Sequence, residues 1–241
     1  MRDQIVSQPG VILKKIPYSE SDEIISVLMR DDGLRRFFVA GSRKSRKRYQ
    51  GIIDLFAHLN FHYRTNSQGL WRLQSADTIQ SHTHMMAQDI EAYAFSNFLS
   101  ELICELAPEE VNDHRFYDVW MQFDDEVRLG VCDHRRVLYY LMHVFLRTGY
   151  ELTTDQSVLC ENDSLPTTVG FDQVRGGVIC QNCCGDKDRV FERELFHLNK
   201  DAPLNETGFE RLLIRKMIGF AQTIIQKPCR SASFYLDLIQ S

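Results

Sequence analysis

At 241 residues, the chain has room for one large domain or two to three small ones. Its 44% hydrophobic and 25% charged residues are those of a soluble globular protein, and no apolar run is long enough to cross a bilayer. Seven cysteines, an odd number without an export signal, argue against a disulfide framework and point to a cytoplasmic protein. The net charge of −5 hides an asymmetry: residues 1–80 carry +5 and residues 81–241 carry −10. A polyanion would be drawn to the first part and repelled by much of the second, which argues for separate domains with separate partners.

In chain order, residues 10–80 read as a small all-β unit. Val11, Ile12 and Leu13 open a strand, and residues 17–22 form a polar turn. Residues 23–30 are a β-branched apolar run, and Asp31-Asp32-Gly33 is a hairpin signal, since glycine tolerates positive φ. Residues 34–40 return. There follows the densest charge in the chain: Arg43, Lys44, Arg46, Lys47 and Arg48, five cations in six positions with no carboxylate until Asp54. Such a cluster costs self-repulsion, which a polyanion relieves when its counterions leave. A solvated loop or a localisation signal would have the same composition. Residues 58–64 and 70–74 then alternate apolar and polar around a turn at 66–69. Five short strands suggest a small barrel, and the OB type is a natural fit; such barrels often bind oligonucleotides.

Near Ser81 the pattern turns helical. Ile90, Tyr93, Ala94, Phe98 and Leu102 share one stripe, ended by Pro108. A second helix is expected around residues 116–123, with Asp113 as cap. A third runs from Arg135 to Arg147, with Asp133 as cap, Gly149 as stop and Val137, Leu138, Leu141, Val144 and Phe145 as its core stripe. Periodicity is lost between 151 and 190, and resumes with Phe209, Leu213, Met217, Phe220 and Ile224. Pro228 ends that segment, and Ser231 is the expected cap of a last short helix.

The irregular stretch holds Cys160, Cys180, Cys183 and Cys184. Two CxxC pairs at this separation make a zinc ribbon. Here Cys180 and Cys183 form one pair, but the partner position of Cys160 is Ser157, a poor zinc ligand. Cys184 is the other candidate for a fourth thiolate. A structural zinc and a degenerate, metal-free knuckle therefore both remain open. No phosphate loop, HExxH, GxSxG or GxGxxG is present, and no nucleophile is paired with a base. The chain reads as a non-enzyme without a nucleotide cofactor.

Four stretches together resemble the RecO family of bacterial recombination mediators. They are residues 10–14 with 18–22, residues 33–48 with Asp54-Leu55-Phe56, Gly149-Tyr150, and Phe171 with residues 176–180 and Cys183. The resemblance implies an α+β architecture: an N-terminal five-stranded OB-type barrel, then an all-helical bundle interrupted at 152–190 by a zinc-ribbon-like insertion. The division would fall at 80/81, with residues 1–80 binding DNA. It further implies binding of single- and double-stranded DNA, annealing of complementary strands, and nucleoid association. The implied partners are RecR and the acidic, Phe-ending tail of the single-stranded-DNA-binding protein, which together help load RecA. The chain departs from the family pattern at Ser157 and at Glu161, where a glycine usually follows Cys160.

The residues expected to touch DNA are Arg43, Lys44, Arg46, Lys47 and Arg48, extended by Arg35 and Arg36 on the preceding strand. Tyr18, Phe61, Tyr63 and Trp71 are candidate stacking residues, each more often a core residue at such positions. For the partner tail, Arg135, Arg136, Arg147, Arg215 and Lys216 are the expected cationic rim, with Leu138, Leu141 and Val144 as apolar neighbours. Two other readings compete: a thiol or metal enzyme built on the cysteines, and a pure protein adaptor whose basic loop binds an acidic partner.

Overall fold

A computed structural model describes residues 5–44, 49, 51–65, 70–80, 89–109, 111–185, 191–197, 199–201 and 208–239. Two compact units divide the chain, Met1–Asp125 and Glu126–Ser241.

The first unit is built on strands β1 (Ile5–Pro17), β2 (Glu23–Met29), β3 (Gly33–Val39), β4 (His58–Arg64) and β5 (Trp71–Gln80). They close into a barrel in the order β1-β2-β3-β5-β4, all neighbours antiparallel except β3 with β5. Closure depends on β1, whose 13 residues pair with both β2 and β4. A register shift between Ile12 and Lys14 bends the strand, so that one strand can serve two partners. Both β1 and β5 run longer than their apolar alternation suggests, because backbone pairing continues through polar residues. The interior is filled by Ile12, Ile25, Val27, Met29, Phe37, Val39, Leu59, Phe61, Tyr63 and Leu73. This is the OB-type barrel.

Helix α1 (Ile90–Leu106) is capped by Asp89, whose carboxylate accepts the Ala92 amide at 2.9 Å, and it packs against β1. Helix α2 (Arg115–Arg128) follows. Asp113 does bond its first turn, accepting the Arg115 amide at 3.0 Å, and it also receives the Arg115 guanidinium. Phe95 meets Phe123 edge-on, and Phe56 lies 5.4 Å from Trp120, tying both helices to the segment that leads into β4.

In the second unit, α3 (His134–Thr148) has Asp133 as N-cap and ends at Gly149 in the left-handed region. It packs on α4 (Phe209–Ile225), with Phe145 edge-on to Phe220 at 5.2 Å. Helix α5 (Arg230–Leu238) starts one residue before Ser231; the cap position is Cys229, which makes no side-chain cap bond, so the expected Ser231 cap is corrected. Between α3 and α4 no hydrophobic period is visible, yet the backbone forms a three-stranded sheet. Strands β6 (Thr168–Asp172), β7 (Gly177–Ile179) and β8 (Phe191–Glu192) run in the order β7-β6-β8. Strands of two to five residues are too short for alternation to show.

Candidate nucleic-acid interface and cysteine cluster

The basic loop leaves β3 through Ala40 and Gly41. Gly41 has φ +71°, a conformation that glycine adopts without strain. Its amide donates to Asp22 Oδ1 at 2.8 Å. Asp22 also accepts the hydroxyls of Ser19, at 2.9 Å, and Ser21, at 3.0 Å. The Gly41 amide, then these hydroxyls, hold its carboxyl below the usual carboxylate range. The Arg43 amide donates to the Ser21 carbonyl, and the Arg43 guanidinium to the Ser19 carbonyl at 2.8 Å. Lys44 pairs with Glu20 at 3.1 Å. The β1–β2 turn thus holds the start of the basic loop, and both Arg43 and Lys44 are exposed. Arg46, Lys47 and Arg48 lie outside the described residues.

The two arginines of β3 diverge. Arg36 is exposed and pairs with Glu109. Arg35 is 6% exposed: it donates to the Leu34 carbonyl and to Asn112 Oδ1, and lies 5.0 Å over the Trp71 ring. The expected extension of the cationic track through Arg35 is therefore corrected. The segment after α1 bridges to β3 at Leu34–Glu109 and covers this side chain. Alternation showed which strand faces point inward, but it gave no sign of that covering segment. Among the candidate stacking residues, Phe61 and Tyr63 are fully buried, while Tyr18 is exposed and edge-on to Phe38 at 5.7 Å. Burial and the bond to Asp32 push the Tyr63 hydroxyl pKa up.

In the second unit, three sulfurs converge. Those of Cys160, Cys180 and Cys183 lie within 4.8 Å of one another, with Cys160 to Cys180 at 3.5 Å. Burial would raise the Cys180 thiol, but contacts from Cys160 and Cys183 and the Ser157 hydroxyl bring it down to about 7. Hydrogen bonds to the other two sulfurs push Cys183 up to about 11. The amides of Cys183 and Cys184 both donate to the Cys180 carbonyl, the tight turn of a CxxC knuckle. Opposite, the Glu161 amide donates to the Ser157 carbonyl at 2.8 Å, and Glu161 takes φ +57°. Both knuckle backbones are in place. Tetrahedral zinc, with Zn–S of about 2.3 Å, separates its sulfurs by roughly 3.8 Å. The three thiols fit such an ion.

Cys184 does not join them. It is absent from the described cluster, and its sulfur lies so close to Gly170 that a Cβ there would stand 2.3 Å from it. The expectation of Cys184 as a fourth ligand is corrected: adjacent residues of a tight turn direct their side chains apart.

The helical cations do not form one rim. Arg135 is 4% exposed and donates to the carbonyls of Asn199 and Glu194. Arg136 pairs with Glu126, Asp133 and Asp201. Arg147 lies about 16 Å from Arg136 along the α3 axis, and donates to His143 Nδ1 at 2.6 Å. Arg215 is exposed on α4, and Lys216 donates to the Phe171 carbonyl. Leu138, Leu141 and Val144 are fully buried, which corrects their expected place beside the tail.

Comparison with known proteins matches most of the chain. The family model "Recombination protein O N terminal" matches residues 1–82, and "Recombination protein O C terminal" matches residues 87–200. The chain belongs to the RecO family. Similar proteins named DNA repair protein RecO include that of Desulfatibacillum aliphaticivorans, 26% identical over 183 residues, covering 74% of this chain and 71% of the relative. That of Listeria innocua serovar 6a is 26% identical over 182 residues, covering 75% and 69%. Membership in the RecO family places the chain in DNA repair and recombination.

Proposed function

We propose that the chain is a non-catalytic mediator that binds single- and double-stranded DNA, anneals complementary strands and, with RecR, helps load RecA onto single strands coated by their binding protein. The observation that carries this reading is the exposed start of the basic loop, held by the β1–β2 turn at the mouth of an OB-type barrel. Annealing needs no covalent step. It requires two polyanions held together with their repulsion screened and their bases free to pair. Arg43, Lys44, Arg46, Lys47 and Arg48 supply phosphate contacts, and Arg36 joins them when its pair with Glu109 opens. Such contacts position a strand without reading its sequence, which suits an annealing protein.

In this reading residues 1–80 are the DNA-binding domain and residues 81–241 a helical domain, with the insertion at 152–190. A metal ion held by Cys160, Cys180 and Cys183 would be structural. It would cross-link the two knuckles, adding stability by folding linkage. The acidic tail of the single-stranded-DNA-binding protein would meet the helical domain at its remaining exposed cations, Arg215 first, and the complex would act at the nucleoid.

The test is a strand-annealing assay with complementary oligonucleotides and no nucleotide added. Annealing that falls when the five loop cations are reversed in charge supports the reading. A folded wild-type protein that neither binds nor anneals DNA overturns it in favour of a protein adaptor.

A further inference from the structure

Resting on the metal reading above, we infer that the insertion is a three-thiolate site whose fourth coordination position is left to a donor from outside the chain, with a small soft thiol the ligand class it takes best.

Four observations meet here. Three sulfurs are within bonding reach of a single ion, and among the described residues no further Cys, His, Asp or Glu joins them. Ser157 occupies the place of the missing cysteine. It is fully buried, and its hydroxyl accepts the Cys180 amide at 3.2 Å. Its amide donates to the Asn162 carbonyl at 2.9 Å, so the knuckle turn is closed by backbone bonds without a ligand at this position. Cys184, the nearest alternative, points its sulfur at Gly170. A neutral hydroxyl is not among the donors that hold zinc, which are thiolate, imidazole and carboxylate. Ser157 keeps the turn and supplies no charge. Three thiolates would give the site a net charge of −1 with a divalent ion, and the exposure of Cys160 leaves one side of the cluster open to solvent. An open fourth position is the pattern of sites that accept an exchangeable ligand, in contrast to closed four-thiolate structural sites.

The full-length apo-protein loaded with one equivalent of Co(II) provides the test, because sulfur-to-cobalt charge-transfer absorption grows with the number of Co–S bonds. The wild type should show three bonds' intensity, rising by about one third when a monothiol such as 2-mercaptoethanol is added, in line with a tetrahedral four-donor limit. Ser157→Cys should show the higher intensity at once and no response to the thiol. Cys184→Ser should behave as wild type, which keeps the test valid where Ser157→Cys fails to fold. Four-bond intensity in the wild type without thiol, or a Cys184→Ser variant that loses a bond, overturns the open site while the metal reading stands. No charge-transfer band in any variant overturns both, and strand annealing, measured separately, is untouched by that outcome.

Discussion

Asp22 accepts the Gly41 amide at 2.8 Å, joining the turn between the first two strands to the start of the basic loop. These residues are 19 positions apart, and each belongs to a stretch that carries the family resemblance. Through this contact one stretch presents cations and the other fixes where they begin. Asp22→Ala should weaken DNA binding but leave its salt dependence unchanged, because no phosphate contact is removed. Gly41→Ala should cost about 1–2 kcal/mol of stability through its φ of +71° alone, since a Cβ there meets nothing within 4 Å. The depressed Asp22 carboxyl contributes stability above its unfolded value near 3.8, and the contribution is lost as pH falls through the folded value. Denaturant titration at pH 7 and pH 3 should show wild type and Asp22→Ala converging at the lower pH. A parallel offset at both would exclude the carboxylate as the anchor.

Reversal of the loop charge tests the DNA interface directly. Replacement of Arg43, Lys44, Arg46, Lys47 and Arg48 by Glu should abolish binding with the far-ultraviolet circular dichroism unchanged, since surface substitutions cost little stability. Single neutral replacements should each flatten the log–log salt dependence by about 0.7 for a single strand. Arg35→Met, by contrast, should reduce stability and leave that slope alone, because the Arg35 side chain is buried over Trp71. A normal slope in the five-fold variant would place the DNA elsewhere.

His143 gives the helical unit a pH dependence. It is half-buried on α3 against Tyr139, at 4.2 Å between ring centres. Burial, then the charges of Arg147 and Lys200, lower its pKa to about 4. The unfolded chain therefore takes up a proton on this ring between pH 6.5 and 4 while the folded chain does not, and stability rises with pH across that window. Half-exposure screens the effect, so the loss from pH 7 to pH 5 should be about 1 kcal/mol. His143→Gln should flatten the profile of unfolding free energy over this range. An unaltered profile would assign the dependence to other groups.

How far the sequence discloses the site follows from which forces place each residue. The barrel strands are half-buried, so alternation marks Phe61 and Tyr63 as inward-facing. The caps Asp133 and Gly149 are local chemistry and read directly. Arg35 and Arg135 look like surface cations because charge alone does not reveal a carbonyl or amide partner 59 to 77 residues away. The sheet of the insertion leaves no period because its strands are so short, and backbone pairing with Ser157 and Glu161 holds the first knuckle where a cysteine motif would have been sought. Cys184 counted as a ligand in sequence and not in space, since spacing gives reach but not direction.

The proposed acidic-tail site is best probed by separating structural arginines from available ones. Arg135 holds two backbone carbonyls, those of Asn199 and Glu194, from a buried position. Charged hydrogen bonds of this kind contribute about 1.5–3 kcal/mol each, so Arg135→Met should lower stability by a comparable amount. Its effect on tail affinity should vanish once the unfolded fraction is taken into account. Arg136 is shared among three carboxylates and should behave similarly, more weakly. Arg215 is exposed, so Arg215→Ala should leave stability within about 0.5 kcal/mol. If the tail docks on α4, that change should weaken binding of a fluorescent peptide ending in Phe and reduce its salt sensitivity, with DNA affinity constant. Unchanged titrations for Arg147→Ala, Arg215→Ala and Lys216→Ala alike would remove the tail from both helices.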